Sequence, residues 1–402
     1  MTLDLSATHS RRLRQAALLL AVVAFVALGG LTYRWFASRD RLIVWDFYAP
    51  WFGLRAMLRE GLSPYSDQVL LSIQETSYGR AAYAHEDQHS MAYPLSIVVI
   101  IGPLTALPLP VAQGVWLVLL EVSLLGFLAV APRAVGWRGP LWLYALTALF
   151  TLGLYSTVWA LILGQISVVI ALLVAVAWWG LRSGRWAVAG ACLALATVKP
   201  QLTFLLVPGL LVWAAYRRRW RVLIAFAVTL AFTLLLPLLW LPDWPLQWLR
   251  QAGRYADSTF FEPPLRVLIG SADAAWVVGG LLLAWLAAWC WRNRSQSDVA
   301  LGWAPAMLIT VGALVAPRTS QANQLILLLP WFFVFSRLRP LLTAFVEMVL
   351  LVTTWFIALW LLPAVSHPDY TLWQHRLISP ILPLGLTAAL LILTPVHQRE
   401  AA

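Results

Sequence analysis

Thirteen apolar segments separated by short polar loops decide what this chain can fold into. They lie near 16–35, 92–107, 110–131, 140–156, 158–181, 187–198, 201–216, 222–241, 275–291, 299–316, 324–336, 341–363 and 377–394. Only 11% of the residues are charged and 61% are hydrophobic, against roughly 25% charged in soluble domains. Alternating strands of ~10 residues, the mark of a membrane barrel, are not found. The chain therefore reads as an all-α polytopic integral membrane protein, with one membrane domain over 1–402. Several segments fall short of the ~20 residues that cross a bilayer. The expectation is about 11–13 transmembrane or re-entrant segments, the broken ones buried in protein.

The net charge of +11 does not point to nucleic acid. Its arginines cluster in short loops, as the positive-inside rule expects: Arg182 and Arg185, Arg217-Arg218-Arg219 with Arg221, Arg292 with Arg294, and Arg337 with Arg339. Those loops read as cytoplasmic. The start, Arg11-Arg12-Leu13-Arg14 followed by Gln15–Thr32, resembles a signal peptide but lacks a small-x-small cleavage site. It reads as a retained first helix with a cytoplasmic N-terminus. The external loops are then 36–91, the Lys199-Pro200-Gln201 break, 242–273, 317–323 and 364–376. Asp46, Lys199, Arg318 and His375 converge on one side of the membrane. Thirteen crossings cannot return the chain to its starting side, and Arg133 and Arg138 break the alternation. A re-entrant passage around Tyr155–Gln165 repairs it. The composition fits a bacterial inner membrane.

The two long external loops are each expected to carry an interfacial helix. One covers Phe47–Leu58. The other falls within 242–273, among Trp244, Trp248, Arg250, Arg254 and Tyr255. The 24 tryptophans suit an aromatic belt. Cys192 and Cys290 read as small core residues with no disulfide framework.

Candidate chemistry is sparse. Asp46, in Trp45-Asp46-Phe47-Tyr48, is a carboxylate at a membrane boundary, which costs solvation energy unless something uses it. Its local alternative is to cap a helix beginning at Phe47. His85-Glu86-Asp87-Gln88-His89 has the spelling of a zinc-protease motif, but no third ligand follows and the flanks read as a loop. No metal site and no cofactor is expected. A divalent cation held by the acidic first loop is the weaker possibility. Nucleotide-binding glycine motifs and the nucleophile elbow are absent. A lipid-borne donor fits a site at the membrane surface. Glu121, mid-span, is a functional candidate by default.

The run Asp46-Phe47-Tyr48, Arg55-Ala56 and Gly61-Leu62-Ser63-Pro64-Tyr65 resembles the first-loop signature of glycosyltransferase family 87. Tyr93-Pro94-Leu95, Gly164-Gln165-Ile166-Ser167, Ala189-Gly190 and Lys199-Pro200 are similar to that family's later signposts, in order. Together they cover roughly 30–335. The resemblance implies a GT-C helical bundle with an acidic residue in the first external loop. It also implies a polyprenyl-phosphate sugar donor, mannose first among sugars, and inverting transfer to the hydroxyl of a glycolipid or glycan acceptor.

On that basis Asp46 is the expected catalytic base. Lys199 and Arg318 are the expected contacts to the donor phosphate, with Arg254 and Arg266 as weaker versions of the same idea. Tyr65, Tyr93 and Gln165 are the expected substrate contacts. For Lys199 the bland alternative is snorkelling to the interface; for Gln165 it is an interhelical hydrogen bond. One departure stands out. Where the family often carries Ser-Trp-x-His, this chain has Ser320-Gln321-Ala322-Asn323-Gln324. That departure implies a different sugar or acceptor, or a non-catalytic member. A transporter or flippase of lipid-linked sugars is the competing class, since it too uses broken helices.

Overall fold

The computed structural model describes residues 26–35, 44–83, 86–258, 263–296, 299–316, 319–361 and 378–393. Among these every regular element is helical. After a helical stretch over 26–35 come α1 (Trp45–Glu60) and α2 (Asp67–Tyr78). An irregular apolar run, Leu95–Ala106, leads into α3 (Leu109–Val135), α4 (Leu141–Gly153), α5 (Tyr155–Leu163) and α6 (Ser167–Arg182). Next are α7 (Trp186–Ala196), α8 (Leu206–Tyr216), α9 (Trp220–Leu235), α10 (Trp244–Ser258) and α11 (Ala272–Arg292). The last elements are α12 (Ala304–Val315), α13 (Leu328–Phe335), α14 (Pro340–Phe356) and α15 (Ile381–Leu393).

Four of these helices, with their extensions, are long and apolar enough to cross a membrane. They are Leu109–Val135, Trp220–Leu239, Ala272–Arg292 and Pro340–Leu359. The pair α4 and α5, bent by 50°, makes a fifth if it counts as one span, and seven apolar helices are shorter. The mixture of full spans and short pieces matches the sequence reading. The single span expected over 158–181 does not form. The chain stops at Gly164 and restarts at Ser167, so the interruption lies where a re-entrant passage was expected.

Helices α3, α6, α7 and α9 pack side by side in that order, and the most deeply buried helices are α12 and α13. Small residues set the spacing. A Cβ on Gly190 would lie 2.2 Å from the Val222 carbonyl oxygen, so α7 and α9 touch through backbone. Lipid chains are as apolar as Leu, so close backbone approach of this kind is what drives association between helices. The Ala-Gly signpost is thus a packing device.

Two carboxylates, the half-buried Glu121 and the buried Glu347, tie helices together. Glu121 of α3 accepts from the Thr32 hydroxyl at 2.8 Å, and Glu347 of α14 accepts from the Thr147 hydroxyl of α4. The sequence reading singled out Glu121 and passed over Glu347. The tryptophans also divide. Trp276 and Trp220 are exposed, as a belt requires, but Trp116 and Trp178 are wholly buried in the core.

The α1 helix departs from expectation. It forms over the expected stretch, yet Phe47, Tyr48, Trp51, Leu54 and Met57 are all buried. Trp51 Nε1 donates to the Leu104 carbonyl at 2.9 Å and Arg55 donates to the Thr105 carbonyl at 2.7 Å. α1 is therefore sunk into the protein against Leu95–Ala106. The α10 helix is the more interfacial of the two, with Leu246, Leu249 and Arg250 exposed.

Candidate active site

Three interruptions of helix meet at one place. The first is the start of α1. Its N-cap is Val44, which offers no side-chain bond, and the helix begins at Trp45. Asp46 is the second helical residue, so the capping alternative fails. Its Oδ2 instead accepts from the Gln165 side-chain amide.

The second interruption follows α5. Gly164 sits at φ +68°, in the left-handed region that glycine occupies without penalty. The Gln165 amide donates to the Ala160 carbonyl at 2.8 Å and the Gly164 amide to that of Leu161 at 3.1 Å. This is a Schellman end, which satisfies the carbonyls left over by the helix. It also throws Gln165 out of line, toward α1. Trp116 of α3 holds the turn by donating Nε1 to the Gly164 carbonyl at 2.8 Å. A Cβ on Gly164 would stand 1.7 Å from Val44 Cγ1. The absent side chain is what lets the head of α1 dock. Gly164→Ala is expected to cost on the order of 2–5 kcal/mol, from the strained φ and the overlap together. Thermal unfolding in detergent checks this; an unchanged midpoint would show that the docking is not tight.

The third interruption is Lys199-Pro200, between α7 and α8. Pro200 cannot continue a helix from α7, and it opens the short turn Pro200–Thr203. Lys199 is only 2% exposed. It does not snorkel; it points inward and donates to Gln165 Oε1. A second donor reaches the Tyr93 hydroxyl at 3.4 Å, with the ammonium 5.6 Å from the ring centroid.

Gln165 therefore bridges carboxylate and ammonium, giving its N–H to one and its carbonyl to the other. The bonds it makes between helix breaks are the ones that orient Asp46 and Lys199. Asp46 keeps an edge open to the surface while protein crowds the rest. This burial pushes its carboxyl up to about 6, with Lys199 pulling it back and Asp87 adding to the rise. Burial lowers the Lys199 ammonium, and the Asp46 charge offsets part of that.

The surrounding residues support this centre. Tyr93 is partly exposed beside it. Tyr65 is 8% exposed and its hydroxyl donates to the Tyr93 carbonyl at 2.8 Å. Tyr65 thus holds the backbone of Tyr93 in place. The α10 helix reaches over from the far loop. Trp248 Nε1 donates to the Ala92 carbonyl at 3.1 Å. Arg254 pairs with Asp67 at 3.1 Å on the surface, away from the centre. Arg266 lies on the short helix Pro264–Ile269. Arg318 and His375 lie outside the described residues.

The His85–His89 stretch is a loop where described, with His85 outside the described residues. Glu86 pairs with Arg80 at 2.7 Å. His89, at φ +47°, stacks on Tyr78 and lies 5.3 Å from the Trp45 ring. Among the described residues no three of His, Cys, Asp and Glu gather as a metal would need. The loop's contribution is Asp87, whose charge is felt at Asp46. Sequence reading missed Asp87 and Gln113 alike. Gln113 Oε1 accepts from the Val44 amide at 3.3 Å and pins the start of α1 to α3.

Compared with models of known families, the chain matches glycosyltransferase family 87 over residues 92–317, more than half of its length. Tyr93, Gln165 and Lys199 fall inside the match; Asp46 and Tyr65 precede it and Arg318 follows it. No curated protein and no solved structure matches the chain.

Proposed function

Because this chain belongs to glycosyltransferase family 87 and is a membrane glycosyltransferase, we propose that it moves a sugar from a polyprenyl-phosphate donor to a hydroxyl of a lipid or glycan acceptor, with inversion. Mannose is the first candidate sugar. The observation that carries the reading is the Asp46–Gln165–Lys199 chain of side chains, assembled from three separate helix breaks.

The chemistry follows from the charges. The acceptor O–H gives its proton to the Asp46 carboxylate. The freed oxygen pair bonds to the anomeric carbon as the bond from that carbon to the phosphate oxygen breaks. The electron pair leaves with the polyprenyl phosphate, and the Lys199 ammonium neutralises the growing charge. Inversion needs one base and no covalent intermediate, in parallel with the inverting hydrolases. A single carboxylate with an open edge meets that need. An ammonium has three donors; Gln165 and Tyr93 take two, which leaves one for a phosphate oxygen. Arg318 is a second phosphate contact on this reading. Tyr93 and Gln165 meet the sugar.

The site faces the extracytoplasmic side of a bacterial inner membrane on this reading, since the arginine-rich ends of α6, α8, α11 and α13 lie on the other. Purified protein in lipid, given radiolabelled polyprenyl-phosphate mannose and a panel of glycolipid acceptors, should label at least one acceptor. Label crossing the bilayer without a new glycosidic bond would move the chain to the transporter class.

A further inference from the structure

A second set of polar groups stands beside the centre and takes no part in the reaction just derived. The segment Gln321–Leu327 winds as a tight helical turn with every residue buried. It packs against both α5 and α6, on either side of the Gly164 break. The Ser167 hydroxyl donates to the Ala322 carbonyl at 2.8 Å, two residues beyond Gln165. Between this turn and the Pro200–Thr203 turn lies a small cavity. Gln201, Thr319, Asn323 and Gln324 line it among aliphatic side chains. Gln201 and Leu202, just beyond Lys199, line the cavity, and the Ser167 bond ties the turn that walls it to the Gln165 break.

The cavity walls are short of partners. Asn323 is 6% exposed and Gln324 is 2% exposed. Their side-chain oxygens, Oδ1 and Oε1, find no hydrogen-bond partner among the described residues. The Gln324 amide is not free to turn round, because its Nε2 donates to the Ser379 carbonyl. Leaving buried acceptors unpaired is costly. What would satisfy them is a donor. The cavity has room for a group the size of a water, too little for a sugar ring but enough for one hydroxyl. Gln201 and Thr319 can complete the bonding of such a group.

We propose that this cavity reads a single hydroxyl of a sugar bound at the Asp46–Lys199 centre, the hydroxyl donating its one hydrogen bond to Asn323 Oδ1. The inference rests on the transferase reading above. A site built to pair with a hydroxyl rejects the analogue that lacks it, because its own polar groups are then left bare.

The test uses full-length protein in lipid with polyprenyl-phosphate mannose, the series of monodeoxy donors, and monodeoxy versions of the acceptor. For the wild type, kcat/KM should fall roughly ten- to hundredfold for one analogue. A fall within the donor series assigns the hydroxyl to the transferred sugar; a fall within the acceptor series assigns it to the acceptor. Asn323→Leu should slow the parent substrate by a similar factor and erase the discrimination. Asn323→Asp, which keeps an acceptor oxygen, should retain it. Thr319→Val, milder in shape, gives a second reading if Asn323→Leu does not yield monodisperse protein. Transfer with the same discrimination in wild type, Asn323→Leu and Thr319→Val would overturn the proposal and leave the cavity to a resident water. No transfer and no donor binding by the wild type would overturn the transferase reading, and this inference with it.

Discussion

Asp46→Asn is expected to lower kcat by about 10²–10⁴-fold, the usual worth of a positioned general base, while the protein stays folded. Asn keeps the shape and an oxygen to accept from Gln165, so the bridge to Lys199 survives. Only the capacity to take a proton is lost. The pH profile gives an independent reading. The base works ionised, and burial raises its carboxyl to about 6. Below that value most of the base carries a proton, so kcat/KM should climb tenfold per pH unit and level off above about 6. In Asp46→Asn the residual activity should lack this limb. A profile flat through pH 6 in the wild type, or turnover preserved in Asp46→Asn, would remove Asp46 as the base and leave the enzyme in need of another.

Lys199→Met is the second large effect. Removing one donor aimed at developing negative charge costs about 10²–10³ in kcat, and the buried position of Lys199 keeps water from replacing it. The change should also move the limb assigned to Asp46. The Lys199 charge holds the Asp46 carboxyl down; without it the carboxyl rises further, and the acid limb shifts to higher pH. A merely structural lysine would lower the amount of folded protein and move the limb, but would leave kcat of the folded fraction on its plateau unchanged. Full turnover in Lys199→Met would hand the phosphate to Arg318.

The same residues show what a sequence discloses. Lys199 before a proline between two apolar stretches announces a broken helix with a charge at the break, because proline chemistry is local. Gly164-Gln165 announces less. A glycine within an apolar run is compatible with an unbroken span, so the sequence leaves 158–181 open between one span and a passage broken near Gln165. Only the approach of Val44 makes the left-handed turn necessary. Asp46 was visible as a costly carboxylate, but its partner Gln165 is 119 positions away. Asp87 and Gln113 were invisible as members of the site for the same reason. Nothing in a solvated acidic loop or in a glutamine near the start of a span states what it will face. The zinc-protease spelling at His85–His89 erred the opposite way. The letters match, but the described part of the stretch is not a helix that would bring ligands to one face.

The shortness of α7 has a consequence for depth. The helix has eleven residues, about 16 Å at 1.5 Å per residue, against a hydrocarbon layer about 30 Å thick. With Arg185, just before it, at headgroup depth on one face, as the positive-inside rule expects, α7 would give out well short of the other. Lys199 then sits in a recess below the opposite surface. An acceptor has to lower its hydroxyl into that recess, and a tether to lipid shortens the descent. On the proposed reading, water too would reach the activated sugar through that recess, so the depth at which α7 ends bears on the ratio of transfer to hydrolysis.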